Sequence, residues 1–186
     1  AIAAALTGAL PAAAQEMKLA SATINDGQHE WQKLFVEGVK ARIGDKLKIG
    51  IYPASQLGAI PRMAEGVSLG TIESFITPTS FVTNLDPRFQ IFEVPGLFRS
   101  PEHQYATIQD PAYRDHLEKM FLDKGLRVIG AIYNSPTVIL LKKPGAKIAD
   151  MKGMKVRTFA SPLQVEQMKS IGVIPTPLAL SEVVPQ

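Results

Sequence analysis

The sequence contains no cysteine in its 186 residues. This absence excludes a disulfide framework, a zinc site with thiolate ligands and a cysteine nucleophile. The sequence also lacks a large excess of positive or negative charge. Its net charge is +3, and the Lys and Arg residues are scattered rather than clustered. Because no basic run or basic stripe with aromatics is present, nucleic acid is not expected as a partner.

Cofactor motifs are also missing. The sequence has neither a Walker A loop nor the G-x-G-x-x-G dinucleotide fingerprint. Its three histidines, His29, His103 and His116, fall in predicted polar helical segments and lack metal-ligand spacing such as H-E-x-x-H. Surface helix positions are the better interpretation of all three, so we expect neither a cofactor nor a metal.

The N-terminal segment is apolar and ends in a run of small residues. Residues 1–10 are mostly apolar, Pro11 interrupts them, and three alanines precede Gln15. This order is typical of the apolar core and A-x-A cleavage site of a secretory signal peptide, and the segment is too short to cross a membrane. We interpret residues 1–14 as the remnant of a signal peptide cleaved near Ala14, and expect the mature protein to be exported. An alanine-rich terminal helix is the alternative.

The rest of the chain alternates between strand and helix patterns. This alternation predicts an α/β fold with largely parallel sheets. The predicted strands cover residues 17–24, 47–52, 71–77, 126–133, 138–142, 154–158 and 173–176. The predicted helices cover residues 28–43, 61–69, 101–109 and 112–124, a segment from Leu163 and a segment from Ser181.

We expect one α/β domain and the start of another. A chain of 186 residues is long enough for one domain and part of a second. The predicted boundary separates a first α/β domain, residues 15–133, from an incomplete second α/β domain, residues 134–186. The last predicted helix stops soon after it begins, so we interpret the sequence as truncated.

A short G-x-S-x-G pattern offers a different function. Gly66-Val-Ser68-Leu-Gly70 matches the motif that carries the nucleophilic serine of α/β-hydrolases. That motif needs a strand before the serine and a helix after it. Here a predicted helix comes first and a predicted strand follows, so helix-ending glycines are the better interpretation. A secreted hydrolase that uses Ser68 is kept as an alternative.

Polar side chains gather where predicted strands end. Arg157 closes one strand just before a helix, and in open α/β sheets ligands bind at that edge. Its planar fork of donors fits a carboxylate, although an ordinary surface salt bridge is an equal interpretation from position alone. The other polar groups at strand ends are Thr23, Thr77, Thr79, Ser80, Tyr133, Asn134 and Thr137, with Phe81, Tyr133 and Phe159 as aromatic walls. Such a set suits the binding of a small acid.

Five short motifs follow one another along the chain. They are IYPASQLG at 51–58, FEVPGLF at 92–98, GLRVIG at 125–130, DMKGMKVR at 150–157, and GVIPTP at 172–177 leading to Ser181-Glu182-Val183. Their order and spacing resemble those of the substrate-binding proteins of TRAP transporters, the DctP-like family. The resemblance extends over nearly all of the chain from about Met17.

The resemblance implies a periplasmic protein of the periplasmic-binding-protein type, with two α/β domains that close on an organic acid and deliver it to a membrane permease, without catalysis. In this family the arginine of the D-x-K-G-x-K-x-R motif pairs with the ligand carboxylate, and that position is Arg157. The other family contacts fall near Thr23, at residues 77–81, at residues 133–137 and just after Arg157.

Two positions depart from the sialic-acid binders of that family. Thr137 stands where those proteins carry a second arginine, and Pro78 stands where they carry an acidic residue. Both departures argue against sialic acid as the ligand. A binding protein of an ABC importer shares the two-domain plan but not this motif order, and is a further alternative.

Overall fold

The computed structural model describes residues 15–133, 137–142 and 147–183, which form two separate parallel sheets with helices between their strands. This confirms the predicted α/β class. Among the described residues, none of the helices is long and apolar enough to cross a membrane.

The first sheet has three strands in the order β2-β1-β3, all parallel. Strand β1 spans Gln15–Ser21, β2 spans Leu47–Tyr52 and β3 spans Ser74–Ile76. Parallel neighbours need crossover connections. Helix α1, Gly27–Ile43, supplies the first crossover and helix α2, Ile60–Ser68, the second.

The core of this half lies between the sheet and α2. Ala20 of β1 and Met63 of α2 are fully buried and pack with Ile60 and Ile72. Burying a side chain of this size contributes roughly 1.5–3 kcal/mol. The central position of β1 explains why its last three residues, Leu19, Ala20 and Ser21, have no exposed surface.

The connection after β3 is made of short helical pieces. A 3-10 segment covers Pro87–Glu93, helix α3 covers Pro101–Gln109 and helix α4 covers Pro111–Lys119. A second apolar cluster joins the 3-10 segment to α4 and the residues that follow it, with the rings of Phe89 and Phe121 stacked 4.6 Å apart.

The second sheet contains two parallel strands. Strand β4 spans Lys155–Thr158 and β5 spans Ile174–Pro177, and helix α5, Pro162–Ser170, connects them. Arg157 lies opposite Thr176 in this register. The carboxyl ends of β4 and β5 therefore meet at the same edge.

Two predicted strands are not formed. The sequence pattern of residues 126–133 and 138–142 is typical of strands. In the described part of the chain, however, no β-ladder joins these residues to either sheet. Leu126 donates its N–H back to the Phe121 carbonyl at 3.1 Å, which closes a turn. A strand needs a partner for its backbone groups, and β-propensity alone does not provide one.

Two predicted helices are shorter than expected. The helix predicted over 112–124 ends at Lys119, and a separate 3-10 turn follows at Leu122–Lys124. The helix predicted from Ser181 is a single 3-10 turn, Leu180–Glu182. The predicted boundary at residues 133 and 134 falls between the two sheets, and the division into two domains stays a prediction. The signal-peptide interpretation of residues 1–14 lies outside the described residues.

Candidate ligand-binding site

Arg157 is the third residue of β4 and lies near the carboxyl edge of the second sheet. Its side chain is half-buried, and its Nε donates a hydrogen bond to the Leu178 carbonyl at 3.0 Å. Leu178 directly follows β5, so this bond ties the guanidinium to the end of the neighbouring strand. The Cζ atom lies 4.6 Å from the centre of the Phe159 ring, a cation–π distance.

The guanidinium of Arg157 has unused hydrogen-bonding capacity. Its Nη2 is buried and finds no hydrogen-bond partner among the described residues. Burial lowers the pKa of Arg157, because desolvation disfavours the cation. Arginine nevertheless stays protonated in proteins. Leaving a buried donor unpaired costs roughly 1–3 kcal/mol, and more for a charged group, so this side chain favours an anion beside it.

Aromatic rings link the two sheets at this edge. Phe81 and Phe159 lie 4.8 Å apart between ring centres, tilted by 59°. Phe81 ends a 3-10 turn, Thr79–Phe81, that follows β3 of the first sheet, whereas Phe159 directly follows β4 of the second. Arg157, Phe159 and Phe81 therefore form one continuous group, which we call the Arg157 group.

An apolar groove of about 150 Å³ lies beside the Arg157 group. Leu178 joins the two, because its carbonyl accepts the Arg157 Nε bond and the residue also lines the groove. The described walls are apolar except for Ser55, and the larger wall residues are Ile60, Pro61, Phe81, Pro177, Leu178 and Leu180. These residues come from the carboxyl side of both sheets.

The segment that carries Ser55, the polar residue of the groove wall, is hydrogen-bonded to the end of β1 and the residues after it. The backbone N–H of Ser55 donates to the Ser21 carbonyl at 3.0 Å, and that of Ala54 donates to the Thr23 carbonyl at 3.1 Å. Ala54 and Ser55 both adopt positive φ angles, 53° and 59°. Positive φ is uncommon for residues other than glycine and is most often found where tertiary contacts hold it in place.

Two of the predicted threonines, Thr23 and Thr77, have different environments. The Thr23 hydroxyl donates to the Asp26 carboxylate at 2.6 Å, and Asp26 in turn caps α1 by accepting from the His29 N–H at 3.0 Å. The Thr77 hydroxyl, one residue beyond β3, is buried without a hydrogen-bond partner among the described residues. Thr77 therefore resembles Arg157 in having a polar atom that is still unpaired.

In the described part of the chain, Tyr133 and Thr137 are not joined to the Arg157 group. Tyr133 is half-buried and Thr137 is exposed, and neither forms a hydrogen bond or ring contact with Arg157, Phe159 or Phe81. Asn134 lies outside the described residues.

Glu93 is a structural contact that the sequence did not reveal. The buried Ser161, which caps α5, donates its hydroxyl to the Glu93 carboxylate, and Gln167 of α5 donates to the Glu93 carbonyl at 2.7 Å. These bonds fasten the 3-10 segment after β3 to α5, next to the Arg157 group. Sixty-eight residues separate Glu93 from Ser161, and no local pattern signals so distant a contact.

The hydrolase alternative lacks the geometry that it needs. Ser68 lies in the last turn of α2, where its hydroxyl donates to the Ala64 carbonyl at 3.2 Å, and β3 follows it. A nucleophile elbow has the opposite order, strand before helix. In the described part of the chain, no group of three or more His, Asp or Glu residues could hold a metal ion.

Comparisons with known proteins agree with this architecture. Residues 20–186 match the DctP family, described as bacterial extracellular solute-binding protein, family 7. The chain is 33% identical over 173 residues to the 2,3-diketo-L-gulonate-binding periplasmic protein YiaO of Escherichia coli, an alignment that covers 92% of this chain and 52% of that protein.

Solved structures of TRAP periplasmic solute-binding proteins have the same fold. One, from Desulfovibrio salexigens with bound orotic acid, has a TM-score of 0.85 at 26% identity and covers 91% of this chain and 55% of that one. Another, from Haemophilus influenzae with bound L-gulonate, has a TM-score of 0.84 at 26% identity, with coverages of 92% and 56%. The chain thus spans about half the length of these relatives. From the family match over residues 20–186, with the fold that accompanies it, the chain belongs to family 7 of the bacterial extracellular solute-binding proteins.

Proposed function

We propose that the protein is the extracytoplasmic solute-binding subunit of a TRAP-type transporter, which captures a small organic acid and delivers it to a membrane permease. The observation that carries the proposal is the buried, unpaired Nη2 of Arg157 at the carboxyl edge of a parallel sheet. Ligands bind at that edge in open α/β folds, and a guanidinium pairs with a carboxylate through two parallel hydrogen bonds.

The relatives support an acidic ligand. The similar protein from Haemophilus influenzae holds L-gulonate and the one from Desulfovibrio salexigens holds orotic acid. Both molecules carry a carboxylate. Because this chain spans about half of those proteins, its own ligand and its permease remain proposals.

Each residue of the site has a proposed role. Arg157 holds the carboxylate, and Phe159 and Phe81 form an aromatic wall beside it. Thr77 offers an unpaired hydroxyl. Thr23, Tyr133, Asn134 and Thr137 are proposed to complete the polar contacts.

Capture requires movement around the arginine. Because Nη2 is shielded from solvent, a carboxylate reaches it only when neighbouring side chains move aside. Phe159 stacks on the guanidinium and is the side chain that we propose to move. The ligand would then supply the hydrogen bonds that Nη2 lacks, and no bond in the ligand is made or broken, so we propose a binding protein rather than an enzyme.

Calorimetry with matched acids and amides tests this proposal. The full-length protein is titrated with organic acids and with the primary amide of each acid. We expect an acid to bind and its amide to fail, because the amide lacks the charge that Arg157 recognises. Equal binding of the two, or no binding by any acid, would contradict the proposal.

Export is a separate part of the proposal. The small-residue run before Gln15 is the proposed cleavage site, which places the mature protein in the periplasm. N-terminal sequencing of exported material should begin at Gln15 or Glu16. Mature protein that still begins with Ala1 would show that residues 1–14 are not a signal peptide.

A further inference from the structure

We propose that the ligand has a single carboxylate and a compact apolar body, such as an aromatic or cyclic aliphatic ring, rather than the hydroxyl-rich body of a sugar acid. This inference rests on the proposed function and adds the ligand class to it. It is carried by the chemistry, size and charge of the groove beside the Arg157 group.

The walls of the groove offer few hydrogen bonds. Of its described lining residues, Ser55 alone has a polar side chain. The Ser55 hydroxyl is 3.5 Å from the Ala22 carbonyl, so even this group already has a neighbour to bond. A ligand hydroxyl transferred from water into such a groove without a partner loses about 1–3 kcal/mol. A body with four or five hydroxyls is therefore strongly disfavoured, whereas an apolar body gains from burial.

The size of the groove suits a six-membered ring. Its volume is about 150 Å³. An engineered protein cavity of about 150 Å³ with Leu, Ile and Phe walls stays dry and binds benzene. The groove described here has Ile60, Phe81 and Leu180 among its walls. Phe81 also allows an offset or edge-on contact with an aromatic ligand, the arrangements that aromatic pairs prefer.

The charge beside the groove fits one carboxylate. None of the described lining residues is charged, and the structure ties Arg157 to the groove through Leu178 and through the Phe159–Phe81 contact. A second carboxylate on the ligand would enter apolar walls, where an unpaired charge is costly. The ring would therefore lie in the groove with its carboxylate directed to Arg157.

Leu180 allows this assignment to be tested by mutation. It lines the groove but is partly exposed, so Leu180→Asn leaves the buried core intact. The variant replaces apolar wall with an amide that hydrogen-bonds hydroxyls. We expect at least about fivefold weaker binding of a ring monocarboxylate and unchanged or tighter binding of a sugar acid. Leu69→Asn, at an exposed leucine outside the groove, is the matched control and should change neither affinity.

The experiment is calorimetry of the full-length protein with three kinds of acid. The probes are benzoate and cyclohexanecarboxylate, then D-gluconate and D-galacturonate, then succinate. We expect one of the ring monocarboxylates to bind at least about tenfold more tightly than either sugar acid or succinate.

The outcomes separate the two proposals. Tighter binding of a sugar acid or of succinate would overturn the ligand class and leave the proposed function intact. An equal loss of ring-acid affinity in Leu180→Asn and Leu69→Asn would overturn the assignment of the groove. No binding by any of the five acids would overturn the ligand class together with the proposed function.

Discussion

Ala54 illustrates how a single residue can hold an unfavourable backbone conformation at the edge of a site. It has φ of 53°, is followed by Ser55 in the same region, and is held by its bond to the Thr23 carbonyl. The left-handed conformation costs about 1–2 kcal/mol for a residue with a Cβ atom, and glycine avoids that cost.

We therefore predict that Ala54→Gly does not destabilise the protein and raises the free energy of unfolding by up to about 1 kcal/mol. Ala41→Gly is the matched control, because Ala41 is an exposed residue inside α1. There the same change should cost about 0.5–1 kcal/mol. Urea unfolding of both variants measures the difference, and equal losses at the two positions would show that Ala54 carries no strain.

The surroundings of Asp86 favour the charged form of its carboxylate. Its side chain is buried, and hydrogen bonds from Arg88 lower its pKa from an ordinary value of 3.8 to about 2. A lowered carboxyl pKa stabilises the folded state fully above the unfolded pKa, and the contribution disappears as the pH falls through the folded value. The effect of Asp86 should therefore fade between about pH 4 and pH 2.

The matching prediction concerns Asp86→Asn. We expect the gap in unfolding free energy between the wild type and this variant to be largest above pH 4 and to shrink as the pH falls toward 2. Arg88→Gln, which removes the cause of the shift, should flatten the same part of the profile. A gap that stays constant from pH 5 to pH 2 would contradict the account.

Residue-level features differ in how far the sequence reveals them. The place of Arg157 near the end of β4 was predictable, because a strand end before a helix is a local pattern. The stacking of Phe159 on its guanidinium was not, since rotamer choice depends on neighbours such as Leu178 that are distant in the chain. The positive φ angles of Ala54 and Ser55 were hidden too, because tertiary hydrogen bonds rather than glycine impose them.

Among the helices, α5 is held at its N-terminus by two hydrogen bonds of Ser161, one within the helix and one to a residue that is distant in the sequence. Ser161 accepts from the Gln164 N–H, as N-cap serines do, and also donates to the Glu93 carboxylate. The second bond connects α5 to the 3-10 segment that ends at Glu93. The position of α5, and with it the loop that carries Phe159, depends on both bonds.

We predict that Ser161→Ala costs more than a helix cap alone. Asp110 caps α4 by accepting from the Ala112 N–H at 2.9 Å and the Tyr113 N–H at 3.0 Å, and Asp110→Ala is the control for a cap alone. It should cost about 1 kcal/mol, the usual value for a cap. Ser161→Ala should cost roughly 1.5–3 kcal/mol more, because it also removes a hydrogen bond to a carboxylate.

A double-mutant cycle checks the cause of this excess. Glu93→Ala combined with Ser161→Ala should give an interaction energy of at least about 0.5 kcal/mol in chemical denaturation. Additive losses would mean that the two side chains do not stabilise one another.

The elements that the sequence predicted well are those whose signals are local. Strand β2 has the predicted bounds because its alternating pattern lies within the segment. Helix α3 has the predicted length because its start is marked locally by Ser100 and Pro101. Residues 126–133 and 138–142 have the composition of strands, but the structure joins them to neither sheet. Strand formation depends on a partner, which no single segment encodes.

For the whole molecule, these unpaired segments leave apolar side chains in water. Leu140 is 91% exposed, and Val138 and Ile129 are also exposed. Exposed apolar side chains of this kind promote association. The residues lie in the part of the chain between the two sheets.

We predict that a protein of residues 1–186 alone self-associates and binds a hydrophobic dye such as ANS. Leu140→Lys should reduce both effects, because a charge on an exposed apolar segment opposes association. Gln109→Lys, an exposed change at the end of α3, adds the same single positive charge and should have little effect. Light scattering that shows a monomer with one sharp unfolding transition would contradict the prediction.

At the scale of the whole molecule, we propose that Arg157 of the second sheet binds the ligand carboxylate at the edge where Phe81, which follows the first sheet, contacts Phe159. Arg157→Lys keeps the positive charge but loses the planar fork that matches a carboxylate. A hydrogen bond to a charged group is worth roughly 1.5–3 kcal/mol, and about 1.4 kcal/mol corresponds to a tenfold change in affinity. Arg127→Lys is the control, because Arg127 is exposed and its 3.6 Å contact with Glu118 lies outside the Arg157 group.

Calorimetry of these two variants in the full-length protein, with whichever organic acid binds the wild type, is the most direct test. We expect at least about tenfold weaker binding for Arg157→Lys, wild-type affinity for Arg127→Lys, and unchanged unfolding cooperativity in both. Wild-type affinity in Arg157→Lys would contradict the account and would mean that Arg157 is a structural residue bound to the Leu178 carbonyl.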